Sequence, residues 1–122
     1  MAYIQPILKK HLPKGHSKKI IIVTDAEAIL GIGDQGYGGI EICFGKGKVN
    51  SLCAGINPNN ITHIMLDVGT NTKKHLEDPK YQGLKAKRPR GKGYNLFIEA
   101  FIYSVKNISP EIFLHWEDFR SN

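Results

Sequence analysis

The hydrophobic positions of the chain fall into short runs separated by polar and glycine-rich turns. The β-branched run from Ile20 to Val23 predicts a strand buried on both faces, as in a parallel sheet. Residues 64–68 and 112–116 predict two further strands. Residues 1–19 are polar and basic, which indicates an N-terminal arm or linker with at most a short helical turn around residues 7–12.

Three stretches between and after these runs carry the apolar spacing of helices. One extends from about Gly38 to Ala54, and a short one, capped by Thr70 or Asn71, stops at residues 78–79. The clearest helix has a single apolar stripe, formed by Tyr94, Phe97, Ile98, Phe101, Ile102 and Val105. The order β-α-β-α-α-β with long crossovers predicts a three-layer α/β/α fold with a mainly parallel sheet.

Composition narrows the class of protein. The 122 residues, 41% hydrophobic and 23% charged, suit one globular domain. No apolar run approaches the about 20 residues of a membrane span, and the N-terminus does not read as a signal peptide. Cys43 and Cys53 are too few for a disulfide framework, so we expect a reduced, cytoplasmic setting. The net charge of +6 favours acidic partners without choosing among polyanions, nucleotides and carboxylate substrates.

A glycine-rich turn follows the first predicted strand. Its pattern Gly31-x-Gly33-x-x-Gly36 is that of a dinucleotide fingerprint, but seven residues separate it from the apolar strand. The next acidic strand-end residue, Asp67, comes 31 residues after Gly36, where about 20 are expected. No cofactor-binding residue is therefore assigned, and the glycines predict a turn that lets the backbone approach a ligand or another element.

Two groups of side chains carry candidate chemistry. Glu117 and Asp118 follow the last predicted strand, and their oxygens suit Mg²⁺ or Mn²⁺, although a solvated acidic loop is the alternative. Lys46 lies three residues from both Cys43 and Val49 on a predicted helix. Partial desolvation there would suit a general base, and the alternative is a surface lysine whose stem covers apolar groups.

The remaining charged residues carry weaker signals. Residues 85–92 hold five cations, Lys85, Lys87, Arg88, Arg90 and Lys92. Because no known nucleic-acid module is visible, this segment predicts a solvated loop or a subunit contact, and neither nucleic acid nor membrane is an expected partner. The five histidines lack metal-ligand spacing, so no zinc site is expected.

Taken in order, these segments resemble the N-terminal, substrate-side domain of malic enzymes and of their relatives, the malolactic enzymes. The resemblance covers about residues 20–119, with motifs in matching order and spacing. They are Val23-Thr24-Asp25-x-Glu27-x-Ile29-Leu30-Gly31-x-Gly33-Asp34-Gln35-Gly36, Gly45-Lys46, Cys53-Ala54-Gly55-Ile56, Leu66-Asp67-Val68-Gly69-Thr70-Asn71, Asp78-Pro79-x-Tyr81-x-Gly83-Leu84, Arg88-x-Arg90-Gly91 and Trp116-Glu117-Asp118-Phe119.

The resemblance implies roles for three residues. Lys46 occupies the position of a catalytic acid/base, and Glu117 and Asp118 those of ligands to a divalent metal, Mg²⁺ or Mn²⁺. The implied activity is that of an oxidoreductase, which oxidises L-malate with NAD or NADP and releases CO₂ to give pyruvate. The family also implies a homodimer or homotetramer. Residues 20–122 would then be part of the substrate and metal domain, with the NAD(P)-binding domain absent from this chain.

The chain also departs from the family pattern. Ala28 stands where an arginine pairs with a substrate carboxylate, so no substrate-binding residue is assigned, and Gly47 stands where leucine is usual. A tyrosine segment upstream and a third metal carboxylate downstream have no counterpart here. We therefore expect a malic enzyme fragment that is inactive as an isolated chain. The alternatives are a malolactic enzyme fragment and a non-catalytic domain that binds a partner chain or a dicarboxylate.

Overall fold

The computed structural model describes residues 4–11, 19–29 and 33–120, which contain one parallel three-stranded sheet. Its strands are β1 (Ile20–Thr24), β2 (Ile61–Met65) and β3 (Phe113–Trp116), in the order β2-β1-β3. The central strand β1 is the β-branched run, and the side chains of Ile21, Ile22 and Val23 are fully buried. The prediction of a parallel sheet with a doubly buried strand is confirmed.

Helices cover both faces of this sheet. They are α1 (Ile4–His11), α2 (Ile40–Ala54), α3 (Lys73–Glu77) and α4 (Lys92–Ile108). On one face α1 and α4 share a core with Ile21 and Val23, while on the other face α2 packs against Ile22 through Cys43. Phe101 and Val105 of the predicted α4 stripe are buried in the larger core. The three-layer α/β/α prediction is therefore confirmed.

The boundaries of two elements differ from the prediction. A 3₁₀ turn at Pro58–Asn60 leads directly into β2, which begins at Ile61 and ends at Met65 instead of spanning residues 64–68. The turn is held by the Asn57 side chain, which accepts a hydrogen bond from the N–H of Asn59. Helix α3 begins only after Thr72, because the hydroxyl of Thr70 is used elsewhere, as a donor to Asp34. Thr70 and Asn71 are therefore not its caps.

The helix in the predicted N-terminal arm is longer than the short turn expected around residues 7–12. Residues 4–11 form α1, and Leu8 is buried in the core that α1 shares with α4. The apolar residues of an otherwise basic segment are thus used for packing. Residues 1–3 and 12–18 of the predicted arm lie outside the described part.

Helix α2 does not bury the apolar stripe that its sequence predicted. Cys43 is buried, but Phe44, Leu52 and Cys53 are exposed. Val49, which lies three residues after Lys46 in the sequence, is also exposed. The helix instead meets the sheet through two small residues one turn apart, Cys43 and Gly47. No helix in the described ranges is long and apolar enough to cross a membrane.

Candidate active site

Lys46 and Glu117 meet at the carboxyl edge of the sheet. The Nζ atom of Lys46 on α2 lies 3.5 Å from Oε2 of Glu117, and the two side chains are 38% and 16% exposed. The N–H of Glu117 donates to the carbonyl of Val23 at 2.9 Å, and Nε2 of His115 lies 2.9 Å from Oε2 of Glu117. Strand pairing and a histidine thus fix the carboxylate that faces the lysine.

Asp118 lies in the turn that leaves β3. Its φ of 53° is in the left-handed region, which is unusual for a residue other than glycine and turns the chain sharply after Glu117. Burial, together with the negative charges of Glu117 and Asp118, raises the pKa of the Cys43 thiol to about 12. Both carboxylates thus lie near enough to Cys43 for their charges to act on its thiol. That the two acids turn towards one ion stays a prediction.

The donor set agrees in part with a hard divalent cation. Two adjacent carboxylates supply the oxygen ligands that Mg²⁺ and Mn²⁺ prefer, and such ions keep several water or substrate ligands. Within the described ranges, no group of three or more His, Cys, Asp or Glu side chains could hold a metal. Glu117 and Asp118 would thus form part of a coordination shell that water and substrate oxygens complete.

A second cluster, which the sequence did not assign, centres on Asp34. Arg88, whose side chain is 1% exposed, donates to both Asp34 oxygens, from Nε at 2.8 Å and from Nη2 at 3.0 Å. The Thr70 hydroxyl donates at 2.7 Å and the Asn71 N–H at 2.9 Å. Burial alone would raise the pKa of Asp34, but these hydrogen bonds outweigh it and lower the pKa to about 2.

The same network continues along the turn after β1. Arg90 donates to both carboxylate oxygens of Glu27, which lowers the pKa of Glu27, and Nη1 of Arg120 lies 3.6 Å from the same carboxylate. The Tyr94 hydroxyl donates to Asp25 at 2.6 Å. The first turn of α4 and the basic segment before it are thereby tied to the end of β1.

These pairs overturn part of the prediction for residues 85–92. Lys85, Lys87 and Lys92 are exposed, as a solvated loop requires. Arg88, however, is buried, and both Arg88 and Arg90 are paired with acids far away in sequence. Two of the five cations are thus paired with acids of the fold, Arg88 in the interior and Arg90 at the surface.

The glycine-rich turn approaches another element, as predicted. Gly36 has a φ of +54°, and a Cβ atom there would overlap the hydroxyl of Tyr81. That hydroxyl accepts a hydrogen bond from the N–H of Tyr37 at 2.7 Å. Gly31 lies outside the described residues, and Gly33 and Gly36 have positive φ values. The fingerprint glycines in the described part therefore serve turn geometry and close packing.

Ala28, at the family's arginine position, is partly buried in the turn after Glu27. Arg90 and Arg120 stand beside its neighbour Glu27, but Glu27 is their partner. Sequence periodicity could not find this network, because its partners are 36 to 93 residues apart. The only available signal was that Asp25, Glu27, Asp34, Arg88 and Arg90 all fall within the family motifs.

Comparison with known proteins identifies the family of the chain. The family described as "Malic enzyme, N-terminal domain" matches residues 1–122. The NAD-dependent malic enzyme of Schizosaccharomyces pombe is 44% identical over 119 residues, which are 98% of this chain and 21% of that protein. The mitochondrial NAD-dependent malic enzyme of Saccharomyces cerevisiae is 50% identical over 99 residues, 81% of this chain and 15% of the yeast protein. The malolactic enzyme of Leuconostoc mesenteroides is 45% identical over 114 residues, 93% of this chain and 21% of that enzyme. The chain thus spans about a fifth or less of the length of these relatives, and it belongs to the malic enzyme N-terminal domain family.

Proposed function

We propose that this chain supplies the lysine acid/base and two carboxylate metal ligands of a malic enzyme active site. In the whole protein the reaction would be oxidative decarboxylation of L-malate to pyruvate and CO₂. The observation that carries the proposal is the 3.5 Å approach of Lys46 Nζ to Glu117 at the carboxyl edge of a parallel sheet, where open α/β folds bind ligands. The names of the relatives from both yeasts support NAD as the coenzyme.

Each residue has a distinct part in this proposal. Lys46 Nζ, partly exposed and near Glu117, would first have to release its own proton to water. As the neutral amine it would then accept the hydroxyl proton of a bound 2-hydroxy acid while hydride passes to NAD⁺. Glu117 and Asp118 would hold Mg²⁺ or Mn²⁺, which when bound polarises substrate oxygens and stabilises the negative charge formed on loss of CO₂. The hydrogen bond from Glu117 N–H to Val23 keeps that carboxylate in place before any ligand arrives.

Manganese binding to the 122-residue chain tests the metal role directly. Calorimetry should show that Glu117→Gln and Asp118→Asn each weaken Mn²⁺ binding at least ~10-fold, since even indirect partners of a metal cost this much. Glu111→Gln is the matched control, because Glu111 is an exposed carboxylate near the other end of β3, and it should leave the affinity unchanged. Equal affinities across all four proteins would contradict the assignment of the metal ligands.

Replacing Lys46 should have the opposite effect on Mn²⁺ affinity. The ammonium of Lys46 competes with the metal cation for the carboxylate of Glu117. The distance from Lys46 Nζ to Glu117 Oε2 is 3.5 Å, and in a water-like medium the attraction between the two charges is worth about 1 kcal/mol. Lys46→Met should therefore tighten Mn²⁺ binding about fivefold. Weaker binding in this variant would show that Lys46 supports the metal rather than opposing it.

We further propose that the isolated chain does not turn over malate. An assay with malate, Mn²⁺ and either NAD⁺ or NADP⁺ should give no NADH or NADPH. Measurable turnover that Lys46→Met abolishes would refute the inactivity while supporting the role of the lysine. A cytoplasmic location and a dimer or tetramer remain predictions, and sedimentation at several concentrations measures the oligomeric state.

Two other functions give different results in these experiments. The relative from Leuconostoc, named a malolactic enzyme, supports the first, in which the site belongs to a malolactic enzyme. Formation of lactate without net reduction of NAD⁺, when the whole protein receives malate and Mn²⁺, would favour it. A non-catalytic dicarboxylate-binding domain would instead show a malate-induced rise in unfolding temperature that needs no Mn²⁺ and survives Glu117→Gln.

A further inference from the structure

Helix α2 lies above the central strand and reaches both of its neighbours. The strand register places Ile22 level with His63 on β2 and with His115 on β3. Aligned residues of neighbouring strands point to the same face, and Ile22 packs against Cys43 of α2. His63 and His115 therefore lie beneath α2, one on each side of Ile22.

Consecutive residues of α2 make the contacts on the two sides. Lys46 faces Glu117, just after β3. Gly47 is buried against His63 on β2, where an added Cβ atom would overlap Nε2 and lie 3.2 Å from Cε1. The Phe44 ring meets the imidazole edge-on at 4.9 Å between centroids. The imidazole thus occupies the space that a side chain at position 47 would need.

We propose that His63 is a positioning residue for Lys46. Its imidazole, packed against Gly47, sets how closely this turn of α2 approaches the sheet and so places Lys46 opposite Glu117. Gly47 leaves the space on the helix side that the His63 ring fills. This inference rests on the function proposed for Lys46.

The surroundings of His63 make this positioning depend on its protonation. Nε2 is buried and has no hydrogen-bond partner in the described part of the chain, and burial lowers the pKa of His63. The groove beside the ring, about 560 Å³ in volume, carries one charged side chain, Lys48, and no carboxylate. The other titratable groups on this face are Cys43 and Lys46 on α2 and, beyond Ile22, His115 with the carboxylates of Glu117 and Asp118. The groove beside an imidazolium at position 63 would hold Lys48 and no carboxylate, so protonation should move the ring away from Gly47.

Nuclear magnetic resonance of the 122-residue chain, with labelled lysine and histidine, tests this coupling. Between about pH 8 and about pH 5, the Lys46 side-chain resonances should shift in step with the titration of His63, whose midpoint should lie below the ordinary value of about 6.5. His63→Gln, which keeps a neutral polar side chain of similar reach, should remove this step and leave the Lys46 signals near their native positions at neutral pH. A purely structural histidine would leave the Lys46 signals independent of its protonation.

A size-exchange experiment tests the steric part. Gly47→Ala should shift the Lys46 signals at neutral pH, and Gly47→Ala combined with His63→Ala should bring them back towards native. Gly45→Ala is the matched control, since it flanks Lys46 on the same helix and a Cβ atom there meets nothing within 4 Å. It should leave the signals in place.

Two results would overturn the inference. In the first, the Lys46 signals do not change when His63 is protonated. In the second, Gly47→Ala combined with His63→Ala regains stability, but its Lys46 signals stay away from their native positions. Neither measurement uses metal or malate. The chain could bind no Mn²⁺ while its Lys46 signals still follow the titration of His63. This pair of results would contradict the proposed function and support the coupling.

Discussion

The buried pair of Arg88 and Asp34 supports the sharpest prediction about stability. In Arg88→Met, the carboxylate of Asp34, 13% exposed, loses both guanidinium hydrogen bonds, at 2.8 and 3.0 Å. Removing one partner of a buried pair costs about 3–5 kcal/mol, a large share of the about 5–15 kcal/mol that stabilises a domain. At roughly 3–6 °C per kcal/mol for a chain of this size, the unfolding temperature should fall by about 10–25 °C.

The matched control is the same substitution two residues away. Arg90 also donates to both oxygens of its partner, Glu27, but the Arg90 side chain is 46% exposed. Because water screens this pair, Arg90→Met should cost about 1 kcal/mol or less. Urea and thermal unfolding followed by circular dichroism measure both variants. Adding Asp34→Asn to Arg88→Met should recover part of the loss, since it removes the uncompensated charge.

The acid dependence of stability provides an independent check on the same pair. The pKa of Asp34 is about 2 in the folded protein against an ordinary 3.8. A carboxyl whose pKa is lower in the folded protein stabilises the fold when it is ionised in both states. For Asp34 this contribution to the free energy of unfolding is on the order of 2 kcal/mol. It is present above about pH 4 and is lost as the pH falls towards 2. Arg88→Met should lose much of this dependence. A variant that unfolds within about 1 kcal/mol of wild type, or that keeps the full acid slope, would refute the reasoning.

Three further outcomes are expected. At neutral pH a thiol reagent should modify Cys53 rapidly and Cys43 only on unfolding, because Cys53 is exposed while Cys43 is buried with a pKa of about 12; two rapid thiols would contradict this. Gly36→Ala should destabilise the fold by about 1–3 kcal/mol in urea titrations, because it combines positive φ with overlap on Tyr81; an unchanged midpoint would contradict this. Ala28→Arg should strengthen malate binding in the presence of Mn²⁺ by about tenfold in calorimetry, through charge-assisted hydrogen bonds to a carboxylate; affinity equal to that of wild type would contradict this.

The elements that the sequence predicted well are those whose signal is local. The run Ile20 to Val23 is apolar at every position, as expected for a strand that is covered on both faces. It forms most of β1. The α4 stripe repeats at helical spacing over three turns, so its buried face was readable. The apolar run at residues 64–68 was misleading, because the bounds of β2 follow from pairing with β1, which begins level with Ile61.

Helix α2 shows why a hydrophobic pattern can fail on a real helix. The pattern weights large apolar residues, yet this helix meets the sheet through Cys43 and Gly47, while Leu52 is 85% exposed. A glycine contributes no hydrophobic signal, but it allows the backbone of the helix to come close to His63. The contact depends on a strand residue that comes sixteen positions later, so no window over the helix alone could reveal it.

The two charge clusters differ in burial and in distance, as a structural network and the proposed reaction site should differ. Arg88 and Asp34 are almost excluded from water and joined by paired short hydrogen bonds, so a ligand would have to break charge-assisted hydrogen bonds to reach them. Lys46 and Glu117 approach only to 3.5 Å, with the lysine partly exposed, so their attraction is weak enough to be exchanged for a metal or a substrate oxygen. Sequence motifs include both clusters alike. Only burial and distance separate the residues that hold the loops in place from the residues left available for chemistry.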